Sequence, residues 1–247
     1  MYKTGLVSIS FRANDVAELI GEVKAVGLDC IEWGSDVHAP YDDIANLEKI
    51  VKLQKEHGIY CCSYGTYFRL GTTPLSELEG YIKAAKILGT NILRLWCGDK
   101  NSQDYTNAEK EELFKVCKQA AKIACDNGVI LCMECHNKTY TNSEKSCLEL
   151  MQRVNSSNFQ MYWQPNQFLS FDDNVSFIKS LSPYVKKVHV FNWEGKNKYP
   201  LKDAKSVWQT YLEYIPNHCE LLLEFMPDNL LSTLKTETAA LKEIVGE

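Results

Sequence analysis

No stretch of the sequence approaches the ~20 consecutive apolar residues that a membrane span requires, so a membrane partner is not expected. The opening Met1-Tyr2-Lys3-Thr4-Gly5 runs straight into a short apolar segment without the pattern of a secretory signal, which predicts a cytoplasmic protein. Basic residues are not in excess: 27 Lys and Arg stand against 32 Asp and Glu, for a net charge of −5. That balance argues against nucleic acid, whose backbone is bound by a basic footprint. A composition break, a low-complexity linker and a long like-charge run are all missing, so residues 1–247 are expected to form one domain. Histidine is scarce, with five in all, which rules out a dense polyhistidine metal cluster. Cysteine is not scarce. The ten cysteines fall mostly inside apolar segments, as Cys61-Cys62 and Cys117…Cys125 do, and are expected to be buried free thiols rather than a disulfide framework.

What is present is a rhythm. Short apolar runs at 6–10, 29–33, 59–64, 91–96, 129–134, 159–164, 185–191 and 220–225 read as strands. Amphipathic stretches near 15–26, 42–57, 75–88, 107–127, 143–154, 173–181, 204–214 and 229–245 read as helices. Asp15/Glu18, Thr106/Glu109 and Thr141/Glu144 have capping-box spacing, and Pro74 suits a first helical position. Gly27, Gly58, Gly89 and Gly128 each follow a helical pattern and precede an apolar run, as left-handed helix ends do. Eight strands alternating with eight helices imply parallel pairing. A doubly wound open sheet would advertise a glycine-rich phosphate turn after its first strand. Here that strand continues Ser8-Ile9-Ser10-Phe11-Arg12-Ala13-Asn14. The expected fold is therefore α/β, a (β/α)₈ TIM barrel.

In such a barrel the functional groups come from the C-terminal ends of several strands. Glu134 closes the fifth apolar run, Gln164 the sixth, His189 lies in the seventh and Glu224 ends the eighth. The steps between them are 30, 25 and 35 residues. A barrel of this size allots roughly 31 residues to each unit, so each step is one β/α unit. Any one of these residues alone reads as a loop cap, an ion-pair partner or a core histidine. Their succession on adjacent strands predicts a divalent-metal site, because buried carboxylates require a counter-charge and an O/N ligand set suits Mn²⁺ or Mg²⁺. Cys132 and Cys135 form a CxxC, yet on a strand they face opposite sides and cannot share an ion. The same parity puts Cys132, Glu134 and His136 on one face. Arg94 and Trp96 share a face on the fourth run, and Glu32 and His38 belong to the second. These polar groups, with Trp33, Trp96 or Trp193 covering apolar faces, suit recognition of a polyol.

Ile31-Glu32-Trp33 with His38, Leu93-Arg94-Leu95-Trp96, Met133-Glu134-Cys135-His136, Trp163-Gln164-Pro165-Asn166, Val188-His189-Val190 and Leu223-Glu224-Phe225 together resemble the xylose isomerase-like barrel superfamily. That superfamily includes sugar isomerases, ketose epimerases, inosose dehydratases and AP endonucleases. The resemblance implies a metal-dependent isomerase or epimerase acting on a ketose or polyol through an enediolate. Glu134 and Glu224 would be both catalytic residues and metal ligands, joined by His189 and Gln164. Mn²⁺ or Mg²⁺ is the expected ion, with Co²⁺ or Zn²⁺ as substitutes. Substrate contacts are assigned to Glu32, His38, Arg94, Trp96, His136, Asn166, Gln167, Asn192 and Trp193. The ketose epimerase branch carries Asp on strand six and His three residues later; this sequence has Gln164 and Gln167, one negative charge fewer. An inosose dehydratase-like lyase and a non-catalytic carbohydrate-binding barrel remain alternatives. The AP endonuclease chemistry fits less well, needing more histidines than His38, His57, His136, His189 and His218 supply. The expected partner is a small carbohydrate or polyol, and a homo-oligomer is left open.

Overall fold

The computed structural model of the protein describes residues 2–247. Eight parallel strands close a barrel: β1 (Lys3–Val7), β2 (Cys30–Gly34), β3 (Tyr60–Leu70), β4 (Ile92–Cys97), β5 (Ile130–Glu134), β6 (Phe159–Trp163), β7 (Val185–Val190) and β8 (Glu220–Leu223). Each strand pairs with its neighbours in sequence, and β8 returns to β1. Eight helices wrap it: α1 (Val16–Val26), α2 (Ile44–His57), α3 (Leu78–Leu88), α4 (Asn107–Asn127), α5 (Glu144–Val154), α6 (Phe171–Leu181), α7 (Lys205–Leu212) and α8 (Leu234–Val245). No helix among the described residues is long and apolar enough to cross a membrane.

The apolar runs carry two cores because a strand's side chains alternate between faces. Outward residues such as Leu6, Ile31, Leu93, Leu131, Met161 and Val188 pack beneath the helices. Inward residues Val7, Cys30, Cys62, Cys132, Tyr162 and Leu222 form a separate cluster inside the barrel. The CxxC divides between them, Cys132 inside and Cys135 outside. All ten cysteines are free, and only Cys125 is exposed. Gly5 faces the interior because a Cβ there would lie 2.5 Å from Cys30 Sγ and 2.7 Å from Leu222 Cδ2.

The expected glycines end α1 to α4 in the left-handed region. Several boundaries differ from expectation. Strand β1 stops at Val7, and Ser8–Phe11 forms a 3₁₀ turn, with Ser8 Oγ taken up by the Gly34 N–H at 2.9 Å. Strand β3 continues to Leu70 and rejoins β4 beyond an irregularity after Gly65. The capping box at Thr106/Glu109 forms, whereas Asp15 caps α1 by its carboxylate accepting from Ala17 and Glu18. Thr141 does not cap α5. That role falls to Ser143, while the buried Thr141 hydroxyl donates to the Glu134 carbonyl at 2.5 Å. Pro74 precedes a 3₁₀ turn at Leu75–Glu77 with ψ of 132°, an extended value, so α3 begins only at Leu78. A two-stranded hairpin of Trp193–Glu194 and Asn197–Lys198, unanticipated from sequence, lies over the barrel mouth after β7.

Candidate metal and active site

At the C-terminal ends of the strands, Glu134, Gln164 and Glu224 open onto one cavity of about 260 Å³. Strand β5 delivers Glu134 as its last residue, and Glu224 follows β8 directly. His189 lies on β7 beneath the cavity and has no exposed surface. One ligand atom from each of Glu134, His189 and Glu224 lies within 4.8 Å of the others. The imidazole Nδ1 is the nitrogen turned toward the carboxylates, 3.7 Å from Glu134 Oε1 and 3.5 Å from Glu224 Oε2. Gln164 Oε1 sits 2.9 Å from the same Nδ1, so all four residues meet at one point.

The electrostatics are uneven. Glu134 Oε2 is held by Arg94 Nη1 at 2.5 Å and Trp96 Nε1 at 2.6 Å. Glu32 Oε1 accepts from Arg94 Nε at 2.9 Å, and Ser63 Oγ donates to Oε2 at 2.9 Å. Burial alone would push both carboxyls up. For Glu32, Arg94 and then His189 overcome it and hold the group far below the usual range; for Glu134, Arg94 and His189 again prevail and lower it. Glu224 has no such anchor, and burial with the neighbouring Glu134 and Glu32 charges raises it, against the pull of His189 and Arg94. Burial would lower His189, but Glu224, Glu32 and Glu134 outweigh it and raise the imidazole. Three buried carboxylates thus share one guanidinium and one imidazole. Carboxylates out of water demand compensation, and an oxygen- and nitrogen-lined point between Glu134, His189 and Glu224 fits a divalent cation.

Two non-glycine residues on the cavity wall adopt left-handed backbone, Lys138 at φ 59° and Phe225 at φ 51°. Such residues persist where their surroundings fix them. Asn101 Oδ1 accepts the Lys138 N–H at 2.7 Å, and Ser10 Oγ accepts the Phe225 N–H at 2.8 Å. The turn at Phe225 brings its ring beside Trp193, centroids 5.6 Å apart, and beneath Lys198 Nζ at 4.7 Å.

Of the expected substrate contacts, His136, Asn166, Gln167 and Trp193 line the cavity. Trp96 is half-buried beside it, its indole N–H spent on Glu134. Asn192 faces an adjoining cavity behind Trp193, and its side-chain amide donates to the Pro200 carbonyl. Three assignments need correction. Glu32 and Arg94 are buried beneath the cavity floor and bonded to each other, so neither presents a free group to a substrate. His38 is buried with both ring nitrogens used, on Ser8 Oγ and on the Asn14 carbonyl, each at 3.1 Å. Sequence reasoning missed Lys138, Phe168 and Phe225 on the wall, Lys198 above it and Gly65 below. A Cβ at Gly65 would lie 2.6 Å from Glu32 Oε1 and 2.8 Å from Arg94 Nη2, a close approach that an isolated glycine within an apolar strand could have suggested.

A closed parallel barrel with convergent acids at its strand ends defines an enzyme-type TIM barrel. Residues 20–218 match the family described as xylose isomerase-like TIM barrel, and the chain belongs to that family. A 3-dehydroshikimate dehydratase of Bacillus anthracis is 21% identical, over 94% of this chain and 90% of its own. Among solved structures, the probable 3-DHS dehydratase AsbF of Bacillus anthracis, involved in petrobactin synthesis, superposes with a TM-score of 0.83. It is 19% identical, and the match covers 97% of this chain and 98% of that one. A D-psicose 3-epimerase with D-tagatose from Clostridium cellulolyticum H10 superposes with a TM-score of 0.71 at 15% identity, covering 98% of each chain. These likenesses, to dehydratases and to a sugar epimerase alike, establish the fold.

Proposed function

We propose that this protein is a metal-dependent isomerase or epimerase of a small ketose or polyol-derived carbonyl compound, working by proton transfer through an enediolate. The observation that carries this reading is the convergence of Glu134, His189 and Glu224 at the floor of one cavity, with Gln164 beside them. These residues would hold Mn²⁺ or Mg²⁺ in preference to Co²⁺ or Zn²⁺, because three of the four donors are oxygens. When bound, a divalent ion supplies Lewis-acid stabilisation of developing negative charge on a substrate oxygen.

The chain's own groups account for the rest. Glu134 is fixed through Oε2 by Arg94 and Trp96, which leaves Oε1 directed toward the ligand cluster. Glu224 is held by no such donors, and its carboxylate borders the cavity. One of these glutamates takes the proton next to the carbonyl, and the other returns a proton at the opposite face. Return to the same carbon gives an epimer, and return to the neighbouring carbon gives an isomer. His136, Asn166 and Gln167, which line the cavity, would bond hydroxyl groups, while Trp193 and Phe225 would cover an apolar face and exclude water.

A second reading, a dehydratase acting on a hydroxy-ketone through the same proton abstraction, is favoured by the charge around the mouth. Lys138 lines the cavity, Lys198 Nζ lies 4.7 Å over the ring of the cavity residue Phe225, and Arg69 lies 4.5 Å over the ring of Trp96; none of the three is among the ion pairs of the described residues. Cations without carboxylate partners suit an anionic substrate, and the 21% identical relative is a dehydratase. One experiment tests both readings. Mn²⁺- or Mg²⁺-loaded wild type, Glu134→Gln and Glu224→Gln are incubated in deuterated water with ketoses, keto-inositols and acidic hydroxy-ketones. Solvent deuterium in a recovered epimer or isomer supports the first reading, and loss of water to a conjugated product supports the second. Absence of exchange and of turnover across the panel, with metal occupancy verified, sinks both and points to a carbohydrate-binding barrel or a substrate outside this class.

A further inference from the structure

The ring nitrogen of His189 that faces away from the carboxylate cluster is a buried polar atom without a hydrogen-bond partner. Nε2 has less than 1 Å² of exposed surface and nothing within bonding distance. Beside it lies the carboxylate oxygen Glu32 Oε1, 3.6 Å away on β2. Nδ1 lies 2.9 Å from Gln164 Oε1 and can donate to that oxygen while no ion is present; when Nδ1 faces an ion instead, the proton belongs on Nε2. A buried N–H left unmatched there costs about 1–3 kcal/mol, so an acceptor one small side-chain adjustment away is significant. Glu32 itself is wholly buried and fixed. Arg94 Nε holds Oε1, the Ser63 hydroxyl holds Oε2, and Tyr162 OH lies 3.3 Å from that hydroxyl while its ring packs 4.5 Å from the imidazole.

The position of Ser63 is itself a product of the fold. Between β2 and β3 the register slips by one residue: Ile31 pairs with Cys61 but Glu32 with Ser63. The extra residue, Cys62, turns its side chain into the barrel core while Ser63 reaches Glu32. Gly65, two residues on, provides the space in which Glu32 and Arg94 meet.

We propose that Glu32 is a positioning residue that fixes the tautomer of His189 in the metal-loaded protein, accepting the proton of Nε2 so that Nδ1 offers its lone pair to a divalent ion shared with Glu134 and Glu224. This rests on the metal reading given above and adds the residue that orients its only nitrogen ligand. A histidine ligand commonly donates its second N–H to a carboxylate, which fixes the ring and raises its basicity. Here Arg94 ties that carboxylate to Glu134, so β2, β4, β5 and β7 are joined in one charged chain beneath the cavity.

Two measurements test the proposal. The first uses the wild-type protein loaded with diamagnetic Zn²⁺ or Mg²⁺ and labelled with ¹⁵N at histidine. Long-range proton–nitrogen correlation should find the His189 proton on Nε2, with Nδ1 unprotonated. A proton on Nδ1 overturns the proposal, because the nitrogen facing the cluster would then be closed to the ion. The second titrates Mn²⁺ and Mg²⁺ into wild type, Glu32→Gln and Glu32→Asp, with folding checked by circular dichroism. Loss of an outer-shell partner typically weakens a metal site 10–100-fold. Glu32→Gln should fall in that range, with part of the loss recovered in Glu32→Asp. Unchanged affinity in folded Glu32→Gln overturns the positioning role while leaving the metal site intact. Failure of the wild type to bind any of the ions removes the metal reading itself.

Discussion

The two ends of the barrel bury charge in opposite ways. At the N-terminal end, Lys187 on β7 pairs with Glu220 at the start of β8, and the Tyr60 hydroxyl donates to the same carboxylate at 3.3 Å. One cation meets one anion, and the Glu220 side chain keeps 14% of its surface in contact with water. At the C-terminal end, Glu32, Glu134 and Glu224 share Arg94 and His189, and their side chains are between 0% and 8% exposed. The lower pair is complete and partly wet, so it asks for nothing more. The upper cluster is dry and unbalanced toward negative charge, which proton uptake at the raised Glu224 or a bound cation would offset. Structural and functional ends are thus distinguished by charge balance rather than by how polar they are.

Removing the central cation at each end gives the sharpest test of that difference. Arg94→Met leaves Glu32 and Glu134 buried without their partner and should cost about 3–5 kcal/mol by denaturant unfolding. Lys187→Met should cost about 1–3 kcal/mol, since the orphaned Glu220 can turn to water. Equal losses would dissolve the distinction.

The next effect separates the ends by ligand. Saturating Mn²⁺ or Mg²⁺ at about 100 times its dissociation constant should stabilise the wild type by about 2.7 kcal/mol. For a chain of this length that is a rise of about 5–10 °C in Tm, reversed by chelator. The same rise should persist in Lys187→Met and vanish when Glu224 is replaced by Gln. A metal-dependent shift that survives Glu224→Gln argues for an ion bound elsewhere.

Two glycines permit a finer comparison of the layers. Gly5→Ala crowds Cys30 and Leu222 in the apolar layer, and Gly65→Ala crowds Glu32 and Arg94 in the charged one. Each should cost about 1–3 kcal/mol, as overpacking generally does. Only Gly65→Ala should also weaken metal binding, read by the same titration.

The smallest effect lies outside the barrel interior. Thr106→Ala removes a capping-box partner from α4 and should cost about 1 kcal/mol. The paired Glu109 is held down to about 2 by the Lys100 hydrogen bond and the Thr106 N–H and hydroxyl. Its folded value is depressed, so its contribution is fully present above about 4.5, the unfolded value, and fades as pH falls toward 2. A pH titration of stability for wild type and Glu109→Gln should therefore converge at the acidic end. Divergence there would assign the shift to another group.

Strand and helix order, helix-ending glycines and the residues at the ends of β5, β6, β7 and β8 were legible because they depend on local rules. Alternation of side chains, left-handed helix ends and one functional residue per β/α unit are written along the chain itself. Glu134, Gln164, His189 and Glu224 were read that way, and they meet in space. What the tertiary structure alone decided is which polar residue faces the cavity and which supports it. Glu32, His38 and Arg94 read from sequence as substrate contacts, yet hydrogen-bond partners 24 to 62 residues away enclose them. A one-residue slip between β2 and β3, invisible in an apolar run that reads equally well in either register, puts Ser63 opposite Glu32. The left-handed turn at Phe225 likewise depends on Ser10, 215 residues distant in the chain. Periodicity tells a side chain which face of the sheet it occupies; only the closing of the barrel determines its depth and its neighbours, and with them whether a carboxylate binds a ligand or braces the residue that does.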